Sequence, residues 1–293
     1  MQQNSEANAR GIILMVLSMG AFAMADTLIK LVSGEVAPAQ IMFLMMAGGS
    51  VMFCLMAKAQ GARLIDRRAI APVFLIRYLA EVVAMVGMVM ALAHVPLSAV
   101  GAIIQATPLL VALGAVLFLG EKVSWRRWST IVLGFAGVLL IVQPGAEGFD
   151  ALALWAVFSM VGLSVRDLTT RMTPPDMASA SLAAYSAVAA LPFAMAWILL
   201  DGDNFLPPEA DWVMLISIIL LGSLGYLLLT ASIRTTSISV VSPFRYARLV
   251  FMLILGVLVF DERPGLPVLA GASLIVFSGL YMMWRERVLK QSG

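Results

Sequence analysis

The chain has 293 residues, of which 61% are hydrophobic and 12% charged, with a mean hydropathy of +0.98. Soluble domains carry about 25% charged residues, so this composition excludes a water-soluble globule and places the chain in a bilayer. The formal net charge of +2 is small and its bases are scattered over short connections, which excludes a nucleic-acid partner; the single Cys54 excludes an intramolecular disulfide and suggests no metal cluster.

A helix needs about 20 mainly apolar residues to cross the hydrocarbon. Ten runs qualify, at 11–32, 38–57, 70–92, 97–119, 126–143, 151–171, 177–200, 212–231, 237–260 and 265–284. The first contains Ala23-Met24-Ala25, an acceptable signal-peptidase site, but the internal repeat described next argues that it is an uncleaved span. Prolines and glycines punctuate the connections, among them Pro38, Pro72, Pro96, Pro144-Gly145, Pro207-Pro208 and Pro264-Gly265. Connections this short make sequence neighbours antiparallel. With the N-terminus inside, most Lys and Arg residues fall on the cytoplasmic side and the acidic 201–211 connection on the other, so both termini are expected in the cytoplasm.

A shift of 141 residues superimposes the chain on itself at polar positions. Asp26 and Lys30 fall on Asp167 and Arg171, and Leu119-Gly120-Glu121-Lys122 falls on Phe260-Asp261-Glu262-Arg263. The expected domains are a tail over 1–10, a five-helix repeat over 11–146, a second over 151–284, and a tail over 285–293. Five spans is an odd number, so the second repeat is inverted relative to the first. The fold class expected is an all-α integral membrane protein of ten transmembrane helices in two inverted five-helix repeats, with a substrate site between the halves.

An ionisable group at mid-membrane costs about 2.5–3.5 kcal/mol on insertion scales, so each needs a partner or a function. In the first span Asp26 and Lys30 lie four apart on one helix face, and Asp167 and Arg171 repeat that spacing in the sixth. Each couple is read either as a self-neutralised pair at a helix end or as a matched gate or coupling element. In the third span Arg77 and Glu81 share a face, and their repeat counterparts Ile218 and Gly222 are uncharged, which favours a substrate-related role. Glu81 is alternatively a proton-coupling carboxylate. In the fourth span Gln105, Thr107 and Pro108 make a polar level that matches Arg245 and Arg248 in the ninth. Two arginines three apart on one face can grip a carboxylate or phosphate; pairing with Glu81 and Asp26 in a structural network is the other arrangement the residues allow. Glu121 and Glu262, at span ends beside bases, are read as loop anchors. Trp125, Trp128, Trp155, Trp212 and Trp284 sit near span ends as an interfacial belt, and His94 is read as a structural or solvated histidine.

The stretch Ala91-Leu92-Ala93-His94-Val95-Pro96-Leu97-Ser98-Ala99-Val100, followed by Gln105-Ala106-Thr107-Pro108-Leu109 and Leu119-Gly120-Glu121, resembles the first half of an EamA-type member of the drug/metabolite transporter superfamily. Ile233 to Ser242, Val259-Phe260-Asp261-Glu262 and Gly271 to Gly279 resemble the second half. The resemblance implies a ten-helix inverted fold and a secondary carrier with a cavity between halves, for solutes such as amino acids, riboflavin, S-adenosylmethionine or nucleotide sugars.

The expected function is secondary active transport, by alternating access, of a small organic metabolite, most simply an amino acid or related carboxylate. The runner-up is a vitamin or nucleoside-like solute such as riboflavin or S-adenosylmethionine; a non-transporting membrane protein is the alternative of another class. The expected substrate-binding set is Arg77, Glu81, Gln105, Thr107, Arg245 and Arg248, with Asp26, Lys30, Asp167 and Arg171 as gate or coupling residues. No catalytic constellation, metal set or cofactor motif is present, so no enzyme activity is expected. The expected setting is the inner membrane, as a monomer or weak homodimer, with a proton or counter-solute as a further partner.

Overall fold

Pro38, Pro72 and Pro108 each stand in the first turn of a helix, where the missing N–H is no loss and the fixed φ favours the helix. The structure, a computed structural model, describes residues 2–62, 64–120, 125–144, 150–174, 176–207, 211–236 and 238–291. Its helices are α1 (Gln2–Val32), α2 (Pro38–Ala59), α3 (Pro72–His94), α4 (Leu97–Ile104), α5 (Thr107–Leu119), α6 (Trp125–Val142), α7 (Leu154–Arg171), α8 (Ser179–Asp201), α9 (Trp212–Thr235), α10 (Ile238–Val241), α11 (Ala247–Phe260) and α12 (Leu266–Gln291). Among the described residues, nine helical stretches are long and apolar enough to cross a membrane, and Trp128–Val142 of the fifth span is a shorter apolar helix. The ten-span expectation is met.

Two spans expected as continuous are broken. The fourth divides into α4 and α5 at Gln105 and Ala106. The ninth passes from α10 through a 3₁₀ turn, Ser242–Tyr246, into α11. The cause is local in the fourth span. Pro108 has no N–H to give Ile104, four residues earlier, and the Thr107 hydroxyl takes that carbonyl instead at 2.6 Å. Shifted by 141, the 105–106 break falls on 246–247, so both halves are interrupted at one level. Discontinuous spans at matched positions are the architecture that transporters use for midplane sites.

The halves interlock. The Ser18 hydroxyl of α1 donates to the Gly225 carbonyl of α9 at 2.7 Å, and the Ser159 hydroxyl of α7 donates to the Ala84 carbonyl of α3 at 2.9 Å. Adding 141 to residue 18 gives 159, and to residue 84 gives 225, so these are one contact made twice. The first helix of each half thus packs on the third helix of the other. Farther along α1 and α9, Ser232 donates to the Gly11 carbonyl at 2.6 Å, which fixes the pair as antiparallel. Small residues set the approach. A Cβ on Gly87 would stand 2.5 Å from the Ser159 nitrogen, and one on Gly162 2.5 Å from the Ala84 nitrogen. α6 and α12 meet similarly at Gly137 and Gly271, where a Cβ on either would lie 2.6–2.7 Å from the other's carbonyl oxygen. The principal core, with Ile41, Leu92, Ile103, Leu109, Ile218 and Met252 among its buried side chains, draws on both halves.

Candidate functional site

Asp26 pairs across the bundle, not along its own helix. Its Oδ2 accepts from Arg248 Nη2 at 2.7 Å and Nε at 3.0 Å, and the guanidinium also lies 5.4 Å from the Phe22 ring centroid. Both groups are largely buried, with side-chain exposures of 6% and 18%. The expected Asp26–Lys30 couple gives way for a geometric reason. Side chains on a helix lean toward its N-terminus, so the short carboxylate meets α11, while the longer Lys30 reaches the end of α3. There its Nζ donates to the Val95 carbonyl at 2.7 Å and the Leu92 carbonyl at 3.3 Å. Those are carbonyls a helix end leaves without intrahelical partners.

The other two couples are also reassigned. Arg77, 6% exposed, donates to Thr170 Oγ1 at 3.0 Å, the Leu182 carbonyl at 2.9 Å and Ser186 Oγ. It ties α3 to α7 and α8 instead of neutralising Glu81. Glu81 Oε1 lies 3.5 Å from Arg166 Nη1, and Arg166 donates through Nη2 and Nε to Asp167 Oδ1 at 2.8 and 3.0 Å. Arg166 is therefore bracketed by two carboxylates. Side-chain exposures of 15% for Glu81, 27% for Arg166 and 31% for Asp167 keep this triad accessible at the level of the bundle where spans are apolar. Arg171 is exposed and makes no ion pair or side-chain hydrogen bond among the described residues.

The two broken spans meet at their breaks. Gln105 Nε2 donates to the Arg245 carbonyl at 3.0 Å. Arg245 lies in the 3₁₀ turn, exposed, and Arg248 in the first turn of α11; the two do not act as one arginine grip because only one of them is left without a carboxylate. Arg248 is taken by Asp26, whereas the Arg245 guanidinium has no ion pair or hydrogen bond among the described residues. It is near enough to Asp167 to act on it electrostatically. Thr107 is buried, and its carbonyl accepts from Ser164 of α7 at 3.3 Å. Tyr246 is buried, with its hydroxyl against Gly279 and without a hydrogen-bond partner among the described residues.

A latch closes the bundle end that carries the 33–37 connection. Asp261, at φ 51°, takes the left-handed conformation that ends α11, as Gly120, at φ 67°, ends α5 one repeat earlier. The next residue, Glu262, donates its N–H to the Gly256 carbonyl at 3.0 Å, completing a Schellman-type turn. This aims the Glu262 carboxylate at the N-terminus of α4. There it accepts from Leu97 N at 2.5 Å, Ser98 N at 3.0 Å and Ser98 Oγ at 2.6 Å, the anion site that a helix start provides. Glu121, the repeat counterpart, lies outside the described residues. On the opposite surface, beyond the spans, Arg68 holds Asp176 at 2.8 Å, and those hydrogen bonds press the Asp176 carboxyl below its ordinary pKa. His94 Nδ1 sits 2.9 Å from the Met90 carbonyl of its own helix.

Arg166 belongs with the expected site residues although it was not among them. The signal was available, since its repeat counterpart is Ala25 and it departs from the duplication as Arg77 and Glu81 do. Among the described residues there is no group of three or more His, Cys, Asp or Glu able to hold a metal ion.

Similarity to known proteins agrees with this architecture. A solved crystal structure superimposes with a TM-score of 0.62 at 18% identity, covering 98% of this chain and 99% of that one, which supports the fold. A pseudopaline exporter of Pseudomonas aeruginosa is 27% identical over 279 residues, 91% of this chain and 93% of the relative. A riboflavin transporter of Brucella anthropi is 32% identical over 208 residues, 67% and 70% of the two chains. An S-adenosylmethionine uptake transporter of Rickettsia bellii is 28% identical over 183 residues, 61% of each chain, so that match spans about three fifths of the relative's length. The EamA-like transporter family model matches twice, over residues 9–143 and 151–284, once for each five-helix half, and the chain belongs to the EamA-like transporter family.

Proposed function

We propose that the protein is a secondary active carrier of a small organic metabolite bearing a carboxylate, an amino acid or a relative of one, working by alternating access between its two inverted halves. The observation that carries the reading is Arg245. An exposed guanidinium without an anionic partner, held where two broken spans meet, is suited to a substrate carboxylate. Gln105 fixes the backbone that presents it, and Glu81, Arg166 and Asp167 complete the polar level. Arg77 and Arg248 act through the scaffold, the first by tying α3 to α7 and α8, the second by neutralising Asp26.

Lys30 and Asp26 are proposed as gate elements on the latched side, with Arg171 and Asp167 as their counterparts on the other. The proposed setting is the inner membrane with both termini cytoplasmic, the transport being driven by a proton or counter-solute. The second reading, a riboflavin-like or S-adenosylmethionine-like solute, is supported by the names of the relatives. Flux assays in proteoliposomes over a metabolite panel test both. Saturable flux of a carboxylate-bearing solute, weakened at least tenfold in apparent affinity by Arg245→Ala, is expected. Normal flux and affinity in that variant would refute the carboxylate assignment, and saturable flux restricted to uncharged solutes would favour the second reading.

A further inference from the structure

Contacts of the first three helices across the halves come in matched pairs: α1 packs on α9 as α7 packs on α3, and α2 packs on α9 as α8 packs on α3. Their packing within each half is not matched. α1 and α2 both pack on α3, whereas among the described residues their counterparts α7 and α8 make no comparable packing on α9. In the first half a side chain holds the contact where α1 and α3 end. Lys30 Nζ donates to the Val95 carbonyl at 2.7 Å and the Leu92 carbonyl at 3.3 Å, and it lies 5.4 Å from the Phe260 ring centroid. A cation suits that place, because the last carbonyls of a helix have no intrahelical partners and carry the negative end of its dipole.

The second half has both parts of this device and holds them apart. The counterpart of Lys30 is Arg171, and the counterparts of Leu92 and Val95 are Ile233 and Thr236. α3 and α9 end in the same way. Val95 and Thr236 are both extended, at φ −110° and −148°, and their N–H groups donate to the Ala91 and Ser232 carbonyls, themselves counterparts, at 2.7 and 3.3 Å. Arg171 stands exposed in the last turn of α7, with no ion pair or side-chain hydrogen bond among the described residues. We propose that Arg171 is the second latch of the bundle, closing the end at which α7 and α9 terminate by donating to the Ile233 and Thr236 carbonyls in the state opposite to the one seen here. A guanidinium has donors enough for both carbonyls at once. One latch is engaged and the other withdrawn, so the structure is the form closed beside the 33–37 connection and open at the far end, which the proposed topology places in the cytoplasm. This rests on the carrier reading and assigns what its second gate grips.

The test uses the full-length protein in lipid nanodiscs, with Cys54→Ser as background and spin labels at two equivalent pairs. Leu31→Cys with His94→Cys reports on the first latch, and Met172→Cys with Thr235→Cys on the second. Leu31, His94 and Met172 are exposed and Thr235 is partly buried. Double electron–electron resonance reads the separation of each pair. With both latches intact the 31–94 pair is expected mainly short and the 172–235 pair mainly long. Lys30→Met keeps the stem and removes the charge, and is expected to shift the ratio of short to long populations at least about tenfold, in opposite senses at the two ends. Adding Arg171→Met is expected to abolish the new short 172–235 population, and adding Arg171→Lys to retain it. Glu262→Gln weakens the first end without touching Lys30, so it populates the opposite form by a second route, and Arg171→Met must cancel that population too. A short 172–235 population that persists in either double variant overturns the proposal, as do distances that Lys30→Met and Glu262→Gln both leave unaltered. Flux in proteoliposomes is measured alongside. Exchange between the two distances with no flux of any solute removes the carrier reading and leaves the latch; saturable flux with Arg171-independent distances removes the latch alone.

Discussion

Replacing Glu262 by glutamine tests whether the bundle end beyond α3 is held shut by one side chain. The carboxylate accepts two backbone N–H groups and one hydroxyl at the start of α4. Hydrogen bonds to an ionised group contribute about 1.5–3 kcal/mol each, and a negative charge at a helix N-terminus adds about 0.3–1 kcal/mol. Glutamine keeps one carbonyl acceptor, and water replaces part of the remainder because Glu262 is only half-buried. The net loss is about 2–3 kcal/mol, which at 1.4 kcal/mol per decade favours the open end about 30- to 140-fold more than in wild type. Hydrogen exchange in lipid nanodiscs reads this directly, since the Leu97 and Ser98 amides are the donors. Their exchange is expected to accelerate by one to two orders of magnitude, while that of the α1–α9 interface stays unchanged. Wild-type protection of both amides in a folded Glu262→Gln protein would show that the carboxylate does not hold this end.

Removing one member of the buried Asp26–Arg248 pair is expected to cost about 3–5 kcal/mol, because the other charge is left without compensation. In a double-mutant cycle measured by chemical unfolding in detergent, Asp26→Ala with Arg248→Ala should therefore be less damaging than the sum of the single changes; additivity would show that the pair is not coupled. Gly162→Ala places a methyl 2.5 Å from the Ala84 nitrogen and is expected to destabilise by about 1–3 kcal/mol. Gly222→Ala meets nothing within 4 Å among the described residues and should be neutral or stabilising by up to about 1 kcal/mol through helix propensity, so thermal unfolding must rank the two in that order. The depressed Asp176 carboxyl supports the folded state above the ordinary aspartate pKa and loses that support only as pH falls through its own lower value. Carboxyl NMR is expected to show Asp176 titrating at higher pH in Arg68→Ala than in wild type, and an unchanged titration would refute the cause assigned.

Ten spans, their inversion and the duplication are legible in sequence because each is a property of the chain alone. Hydropathy reports what hydrocarbon tolerates, and an odd number of spans per half dictates inversion. The breaks in the fourth and ninth spans are less visible, because Gln105-Ala106 and Arg245-Tyr246 sit inside apolar runs that pass every length criterion. Pro108 and Pro243 were the available signals, yet a proline alone does not distinguish a kink from a break. The charge partners were the least legible. Helical spacing reports which residues share a face, and it correctly groups Asp26 with Lys30 and Arg77 with Glu81. It is silent on the neighbouring helix, where each of these found a better partner.

The pairings sort the departures from the repeat into two kinds. If charge differences between the halves served only to stabilise the fold, each unmatched group would be saturated by protein, as Arg77 is by Thr170, Leu182 and Ser186. Arg248 also fits that description, since Asp26 takes it fully. Arg166 does too, held by Asp167 and Glu81; Arg245, with no ion pair among the described residues, does not. An ionised group kept unsaturated among apolar spans is disfavoured by several kcal/mol unless something else meets it, and Arg245 stands at the level at which both halves are broken. Duplication followed by inversion provides two equivalent ends that can open in turn, while a group present in one half alone gives the site a direction. Arg245, which breaks the symmetry and has no ion pair among the described residues, is therefore the place at which the proposed carrier would meet an anionic group of its substrate.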